Sequence, residues 1–116
     1  MRATITADDN MVYVDGEWAS VDCSTLPDNL HAMQWYGDWG EEEFKTTVDA
    51  TGMTRQPNNR ITDLSPYQSY LDAWKSSYML RKAQEKKVQN EIENAWKQAK
   101  ELEAKAVEEF SARLPP

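Results

Sequence analysis

The first 65 residues contain short stretches in which apolar and polar side chains alternate, the period expected of β-strands with one buried face. Such stretches occupy residues 2–6, 11–14 and 17–21. A polar segment separates the first two, and Asp15-Gly16 separates the last two. An Asp-Gly pair favours a type I′ hairpin turn, whose two central residues both need positive φ. We therefore predict a three-stranded antiparallel meander at the start of the chain.

The next block predicts further strands from less regular patterns. Residues 31–36 have the pattern of a strand, and we expect the more apolar alternate set to be buried: His31, Met33 and Trp35 rather than Ala32, Gln34 and Tyr36. Residues 41–47 alternate only loosely and predict one more strand. Residues 49–59, which include Gly52 and Pro57, predict a loop.

The pattern changes to that of a helix at Ser65-Pro66. Serine can accept hydrogen bonds as an N-cap, and proline at the first helical position loses no needed donor. Neither Gly nor Pro occurs between Tyr67 and Leu114, and Pro115-Pro116 ends the pattern. About 48 residues, or roughly 72 Å at 1.5 Å per residue, are therefore predicted to be helical.

The predicted helix changes character along its length. Its first turns carry apolar side chains at spacings of three and four, which predicts a face that docks on the sheet. These side chains are Tyr67, Tyr70, Leu71, Trp74 and Tyr78. Residues 81–89 are polar on almost every side, which predicts either a continuous helix or a bend near Lys86.

From about residue 88 the helix has a partial heptad pattern. Apolar residues at a and d positions allow close helix pairing, and the chain offers Ile92, Ala95, Ala99, Leu102 and Ala106. Three larger apolar side chains lie off this alanine-rich seam, namely Trp96, Val107 and Phe110. They would be exposed on an isolated helix, so we expect them to contact another chain or to fold back.

Together these patterns predict an α+β chain with two parts. Residues 1–65 form a small antiparallel β meander or hairpin head. Residues 66–116 form one long, highly charged C-terminal α-helix, which bundles or forms a coiled coil from about residue 88. A head of roughly 60 residues buries only about 60% of its unfolded surface, which favours support from a partner or from self-association.

Charge is distributed unevenly between the two parts. Residues 1–65 carry 4 basic and 12 acidic side chains, a net charge of −8, whereas residues 66–116 carry 9 basic and 8 acidic side chains, a net charge of +1. An acidic head is repelled by phosphate backbones and anionic lipids, so we expect it to bind neither nucleic acid nor membranes. This charge is compatible with a basic protein partner.

The sequence predicts a soluble protein that is made in the cytoplasm. The start MRATITADD lacks the basic and apolar regions of a signal peptide, and no apolar run approaches the ~20 residues of a membrane span. Cys23 is the single cysteine, so no intrachain disulfide can form.

Residues suited to catalysis or metal binding are sparse. His31 and Cys23 are the single histidine and cysteine, and no third group that would orient a Cys/His pair is identifiable. We interpret His31 as a structural or surface residue and Cys23 as a small buried thiol. The acidic runs Asp8-Asp9 and 41–43 lack the spacing of a calcium loop. We expect no enzymatic activity, no cofactor and no metal.

Tryptophan residues supply the remaining candidates. We predict that Trp18 is part of the core. Trp39 lies in a predicted turn, where it either caps the edge of the core or is displayed for binding, since tryptophan is common at interaction hot spots. The candidate partner interface consists of Trp39 and seven helix residues: Ile92, Ala95, Trp96, Ala99, Leu102, Val107 and Phe110.

Three segments in combination resemble a group of small tailed-bacteriophage proteins. That group has, in order, a V-D-G turn, an H-A-x-Q-W-x-G-x-x-G-E-x-E-[FY] block and a P-Y-x-x-Y-x-D-x-W helix start. Residues 14–16, 31–44 and 66–74 match these motifs here. The resemblance covers roughly the first 75 residues and implies a virion structural protein, or one associated with the tail and its fibres.

Three hypotheses for function follow. The leading one is a phage tail or tail-fibre subunit, located in the virion, whose head docks on another phage structural protein and whose helix bundles with copies of itself or with another subunit. The fibre analogy favours a homotrimer. The second is a fibre assembly chaperone that is absent from the mature virion. The third is an acidic inhibitor of a host protein.

Overall fold

The computed structural model describes residues 1–115 and contains eight strands, two short 3-10 turns and one long helix. The strands are β1 (Ala3–Thr6), β2 (Met11–Val14), β3 (Glu17–Ser20), β4 (Leu30–Trp35), β5 (Gly40–Phe44), β6 (Thr46–Asp49), β7 (Gly52–Arg55) and β8 (Asn59–Ile61). The 3-10 turns are Ala7–Asp9 and Ser65–Tyr67, and the helix α1 is Gln68–Arg113. An antiparallel β head followed by one long C-terminal helix confirms the predicted α+β class.

Six strands form one antiparallel sheet in the order β3-β2-β1-β4-β5-β8. Its first three strands are the predicted meander. Asp15 and Gly16 have φ values of 49° and 84°, as the type I′ turn requires. The Asp15 carboxylate accepts a hydrogen bond of 2.8 Å from the Arg2 amide, which ties this turn to the start of β1.

The predicted loop at residues 49–59 is largely wrong, because it contains strand structure. β6 and β7 form a separate two-stranded hairpin, and β8 adds to the edge of the main sheet beside β5. The Asp49 carboxylate accepts hydrogen bonds from the Thr51 amide and hydroxyl, and Gly52 adopts a φ of 124°. Both hairpin strands are exposed on both faces, so no alternation marks them in the sequence.

The predicted burial set for residues 31–36 is correct for Met33 and Trp35 but wrong for His31, and Ala32 is buried as well. Leu30 pairs with Phe44 and Ala32 with Glu43, so a bulge at His31 shifts the register of β4. The bulge leaves His31 exposed while Ala32 and Met33 are both buried. An extra residue in one strand breaks the two-residue period on which the prediction relied.

The core lies between one face of the sheet and the first turns of α1. Paired strands align Ile5 with Val12 on one side and with Met33 on the other, and all three side chains are fully excluded from solvent. Tyr67 and Leu71 from the helical segment join the same cluster. This confirms the predicted docking of the first helical turns on the sheet.

The predicted N-cap role of Ser65 is wrong. Ser65 begins a 3-10 turn, and no side-chain hydrogen bond caps that turn, whose N-cap residue is Leu64. Instead the Ser65 amide and hydroxyl both donate to the Asp63 carboxylate, at 2.9 Å each. These hydrogen bonds hold the pKa of Asp63 below its ordinary value. Pro66 does lie in the first turn, where its missing N–H is not needed.

Trp18 is not in the core, contrary to the prediction, since 41% of its surface is exposed. Its outer face is covered by Arg81, whose guanidinium carbon lies 4.1 Å from the ring centroid and which donates to the Trp18 carbonyl at 2.7 Å. Trp74 also donates its indole N–H to the Glu17 carbonyl, at 2.9 Å. Two side chains of α1 therefore donate hydrogen bonds to backbone carbonyl groups of the edge strand β3.

The chain divides into two compact units, Met1–Arg81 and Lys82–Pro116. The head unit comprises both sheets and the helix up to Arg81, and the tail unit comprises the helix from Lys82. The sequence-based division at residues 65 and 66 instead marks the change from strand to helix. Within residues 1–115, no helix combines the length and apolar character needed to cross a membrane.

Candidate interaction surface

The candidate catalytic residues sit in ordinary structural environments. Cys23 is buried, as predicted, and its thiol donates to the Val21 carbonyl at 3.4 Å. Burial, with a contribution from the Asp22 charge, raises the pKa of this thiol. His31 lies at the surface with Nδ1 3.5 Å from an Asp8 carboxylate oxygen. A buried thiol with a raised pKa is a poor nucleophile.

Several acidic residues of the head accept hydrogen bonds or form ion pairs. Asp8 pairs with Lys45 at 2.6 Å, and this hydrogen bond lowers the pKa of Asp8. Glu42 accepts from the Asn59 side chain at 2.7 Å and from the Tyr67 hydroxyl. Across the described part of the chain, no group of three or more His, Cys, Asp or Glu residues is arranged to hold a metal ion.

Trp39 is half-buried at the surface of the head unit. Its ring is tilted against Tyr36, with the two centroids 4.6 Å apart, and Arg60 lies over it at 4.4 Å. The Trp39 carbonyl accepts from the Tyr36 amide at 2.8 Å. These contacts hold Trp39 partly covered, so its exposed edge is a minor feature of the surface.

Several large apolar residues of the tail unit are exposed to solvent. Trp96 and Leu102 are each 69% exposed, Phe110 66%, Val107 59% and Ile92 47%. Ala95, Ala99 and Ala106 between them are also exposed. The seven helix residues of the candidate interface therefore share one helix and are all open to contact. Trp39 lies apart from them in sequence, in the head unit.

These side chains form one stripe along the helix. At about 100° per residue, the large apolar side chains from residue 88 to residue 110 fall within an arc of about 140°. We call this set the tail stripe; it consists of Val88, Ile92, Trp96, Leu102, Val107 and Phe110. Ala95, Ala99 and Ala106 occupy the same arc. The larger side chains therefore adjoin the alanine seam and widen it.

The tail stripe is suited to binding another apolar surface. Tryptophan and phenylalanine each bury roughly 150–250 Å² on contact and dominate interface energetics. A shallow depression around Trp96 is bordered by Gln89, Ile92, Glu93, Lys97 and Lys100. An apolar centre with a charged border is the usual composition of a protein-binding surface. The tail stripe is therefore suited to binding through hydrophobic contact.

One exposed apolar feature of the head was not anticipated from the sequence. In the β6–β7 hairpin, Val48 and Met53 pair across the strands, and they are 75% and 74% exposed. The available signal was the residue pattern on either side of Asp49 and Gly52, where Thr and Val favour strands and the Gly favours a turn. The patch is small compared with the tail stripe.

Comparisons with known proteins neither add to nor narrow this description. No protein-family model, no curated protein and no solved structure matches the chain.

Proposed function

We propose that the chain is a bacteriophage virion structural protein, associated with the tail or tail fibre, and that it acts as an assembly subunit. In this proposal the head docks on another phage structural protein, and the tail helix bundles with a second helix. The three sequence motifs shared with small tailed-phage proteins support the phage origin. The tail stripe is the single observation that carries the assembly role.

Leaving the tail stripe in water is energetically unfavourable. Monomeric proteins rarely expose contiguous apolar patches larger than a few hundred Å², and larger ones mark sites of interaction. A helix without tertiary packing is only marginally stable in water, and the tail unit has no buried residue among those described. Covering the stripe with a second helix stabilises both the interface and the helix.

Mass spectrometry of purified virions tests the location. We expect peptides from this chain in mature particles at a stoichiometry typical of a structural component. Detection in infected cells together with absence from particles would contradict the virion assignment and support the chaperone hypothesis instead. A host protein that copurifies through salt-sensitive contacts, without any association with particles, would support the inhibitor hypothesis.

A matched pair of variants tests the role of the tail stripe. Ile92→Ser with Leu102→Ser removes two apolar side chains from the stripe, whereas Asn94→Ser with Glu101→Ser makes the same number of changes on the opposite face. We expect light scattering to show loss of the oligomer in the first variant and its retention in the second. Equal behaviour of the two variants would contradict assembly through the stripe.

A further inference from the structure

We infer that the tail helix pairs with the tail helix of a second copy in antiparallel orientation, about a two-fold axis at the level of residue 97. The inference rests on the proposed function in one respect, because it takes the tail stripe as the assembly surface. It adds the identity of the partner helix, the relative orientation of the two helices and the register in which they pair. The heptad positions and the charges of the tail unit support this pairing.

The heptad assignment defines the seam and its two borders. With Ile92 as an a position, the core positions between residues 88 and 106 are all apolar: Val88, Ile92, Ala95, Ala99, Leu102 and Ala106. The next core positions outward are Glu85 and Glu109. Burying a carboxylate at a core position costs free energy. The apolar seam therefore ends before Glu85 in one direction along the helix and before Glu109 in the other.

An antiparallel pair with one particular register uses the whole seam. In antiparallel coiled coils, an a residue of one helix faces a d residue of the other. The two-fold axis at residue 97 places Ile92 against Leu102, Ala95 against Ala99, and Val88 against Ala106 of the second copy. Each contact then occurs twice, as two-fold symmetry requires. The central alanine layers allow close approach of the two backbones.

Flanking charges favour this orientation and this register. The residues bordering the seam on one side are Glu91, Gln98 and Lys105. In the antiparallel register Glu91 faces Lys105 of the second copy, and Gln98 faces itself. In a parallel pair the same flank would face the other border of the seam, which would place Glu91 against Trp96 and Lys105 against Phe110. Charges at these positions set helix orientation.

Displacing the pair by one heptad in either direction is unfavourable. One displacement places Glu109 against Ile92, and the other places Glu85 against Leu102. Both displacements also separate Glu91 from Lys105. The register centred on residue 97 places Glu85 opposite Glu109 of the second copy, beyond the ends of the apolar seam. It is therefore the register in which no apolar layer faces a carboxylate and the flanking charges are paired.

The net charges of the two units support self-pairing in the same orientation. Residues 82–116 carry 7 basic and 7 acidic side chains, net 0, whereas residues 1–81 carry 6 basic and 13 acidic, net −7. Neutral tails do not repel one another. Because each head joins its tail at residues 81 and 82, antiparallel pairing places the two junctions at opposite ends of the paired segment and reduces repulsion between the acidic heads. This two-fold arrangement differs from the threefold symmetry expected from the fibre analogy.

Charge exchange in the full-length chain tests the register. Glu91→Lys alone and Lys105→Glu alone each place like charges opposite one another twice per dimer. We expect each to raise the dimer dissociation constant about tenfold in sedimentation equilibrium at low salt. The double exchange restores two attractive pairs, so we expect recovery of the original value. Residues 91 and 105 are too far apart on one helix to compensate within a single chain.

Disulfide cross-linking tests the orientation independently. In a Cys23→Ala background, the Ala95→Cys and Ala99→Cys variants are oxidised separately and as a mixture. We expect a covalent dimer chiefly in the mixture, joining position 95 to position 99, because disulfides need Cα atoms within about 7 Å. Circular dichroism checks that each variant retains its helix.

The outcomes separate this inference from the proposed function. Efficient cross-linking of each variant alone, without rescue by the double charge exchange, would overturn the antiparallel inference and leave a role in helix bundling intact. A monomer at high concentration would overturn the inference, and presence in virions would still support docking on another structural protein. Absence from virions would contradict the proposed function even if the antiparallel dimer forms.

Discussion

At the scale of single residues, Tyr67 connects the first helical turn to the sheet. Its side chain is buried, and its hydroxyl donates to the Glu42 carboxylate on β5. Burial is the main reason that its pKa is raised above the ordinary value of 10.0, and the hydrogen bond to Glu42 and the charge of that carboxylate add to the effect. Tyr67 is thus held in its neutral form.

We expect Tyr67→Phe to lower the free energy of unfolding by about 1–2 kcal/mol, because Glu42 loses a hydrogen-bond donor in a partly buried position. Urea titration followed by tryptophan fluorescence measures the change. Tyr13→Phe is the matched control, since Tyr13 is exposed at the surface of β2 and its hydroxyl is accessible to water. Equal effects of the two substitutions would contradict the role of the Glu42 contact.

The raised pKa of Tyr67 also predicts a pH dependence. An unfolded tyrosine loses its proton near pH 10, whereas folded Tyr67 retains it, so the folded state binds more protons above that pH. The stabilising contribution is complete below pH 10 and decreases as the pH rises toward the folded value. We expect Tyr67→Phe to flatten the alkaline decrease in stability relative to Tyr13→Phe. An unchanged slope above pH 10 would be inconsistent with this assignment.

Gly40 is a second position at which one residue decides the packing. A Cβ atom there would lie 2.5 Å from the Gln34 carbonyl oxygen and 2.8 Å from the Trp35 ring. Gly40→Ala therefore forces β4 and β5 apart, and we expect a loss of about 1–3 kcal/mol in the free energy of unfolding. Gly16→Asn should cost much less, because nothing lies within 4 Å of its Cβ position and Asn tolerates positive φ. Calorimetry compares the two; similar losses would contradict the steric argument.

At the scale of elements, α1 has two different environments along one continuous helix. Up to Arg81 it packs on the sheet through a face centred on Leu71, whereas from Lys82 onward every described side chain is exposed. The spacing of aromatic residues predicted the first environment. The sequence pattern alone left open whether residues 81–89 bend, and the structure contains no break in the helix there.

Leu71 and Leu80 provide a matched test of this difference within one helix. Leu71 is buried in the core cluster, whereas Leu80 is 61% exposed. We expect Leu71→Ala to lower the free energy of unfolding by about 2–5 kcal/mol through loss of buried contacts and formation of a cavity. Leu80→Ala should change it by less than about 0.5 kcal/mol. Chemical denaturation distinguishes them, and a large effect of Leu80→Ala would indicate that its side chain is covered in solution.

At the scale of the whole molecule, the head unit contains the entire buried core. Among residues 1–115, all buried residues lie between Ala3 and Leu71. In its described residues, 82–115, the tail unit has a helix and an apolar stripe but no core of its own. The head is therefore expected to fold independently, while the tail helix depends on a neighbour for stabilisation.

Truncation after Arg81 tests this division. We expect the shortened chain to retain the near-ultraviolet circular dichroism of the packed aromatic residues and a cooperative melt within a few degrees of the full-length protein. The far-ultraviolet helical signal should fall, and the concentration dependence of the melt should disappear with the tail stripe. A shortened chain without a cooperative transition would show that the tail stabilises the head.

Local sequence was sufficient for features that depend on neighbouring residues. The Asp15-Gly16 turn, the three-strand meander and the long helix were predictable because turn geometry and helix propensity act over a few positions. Ile92 was identified because the heptad pattern places it on the seam, and Trp96 because it lies off that seam and would be exposed on an isolated helix.

Features that depend on distant parts of the chain required the tertiary structure. The bulge at His31, the pairing of β8 with β5 and the exposure of Trp18 beneath Arg81 all join segments far apart in sequence. No local pattern encodes them, because a bulge is defined by its partner strand and burial is defined by what lies above a side chain. The sequence by itself determined the meander, the long helix and the composition of the tail stripe, whereas tertiary contacts decided the remaining strands, the register, burial and the extent of the head.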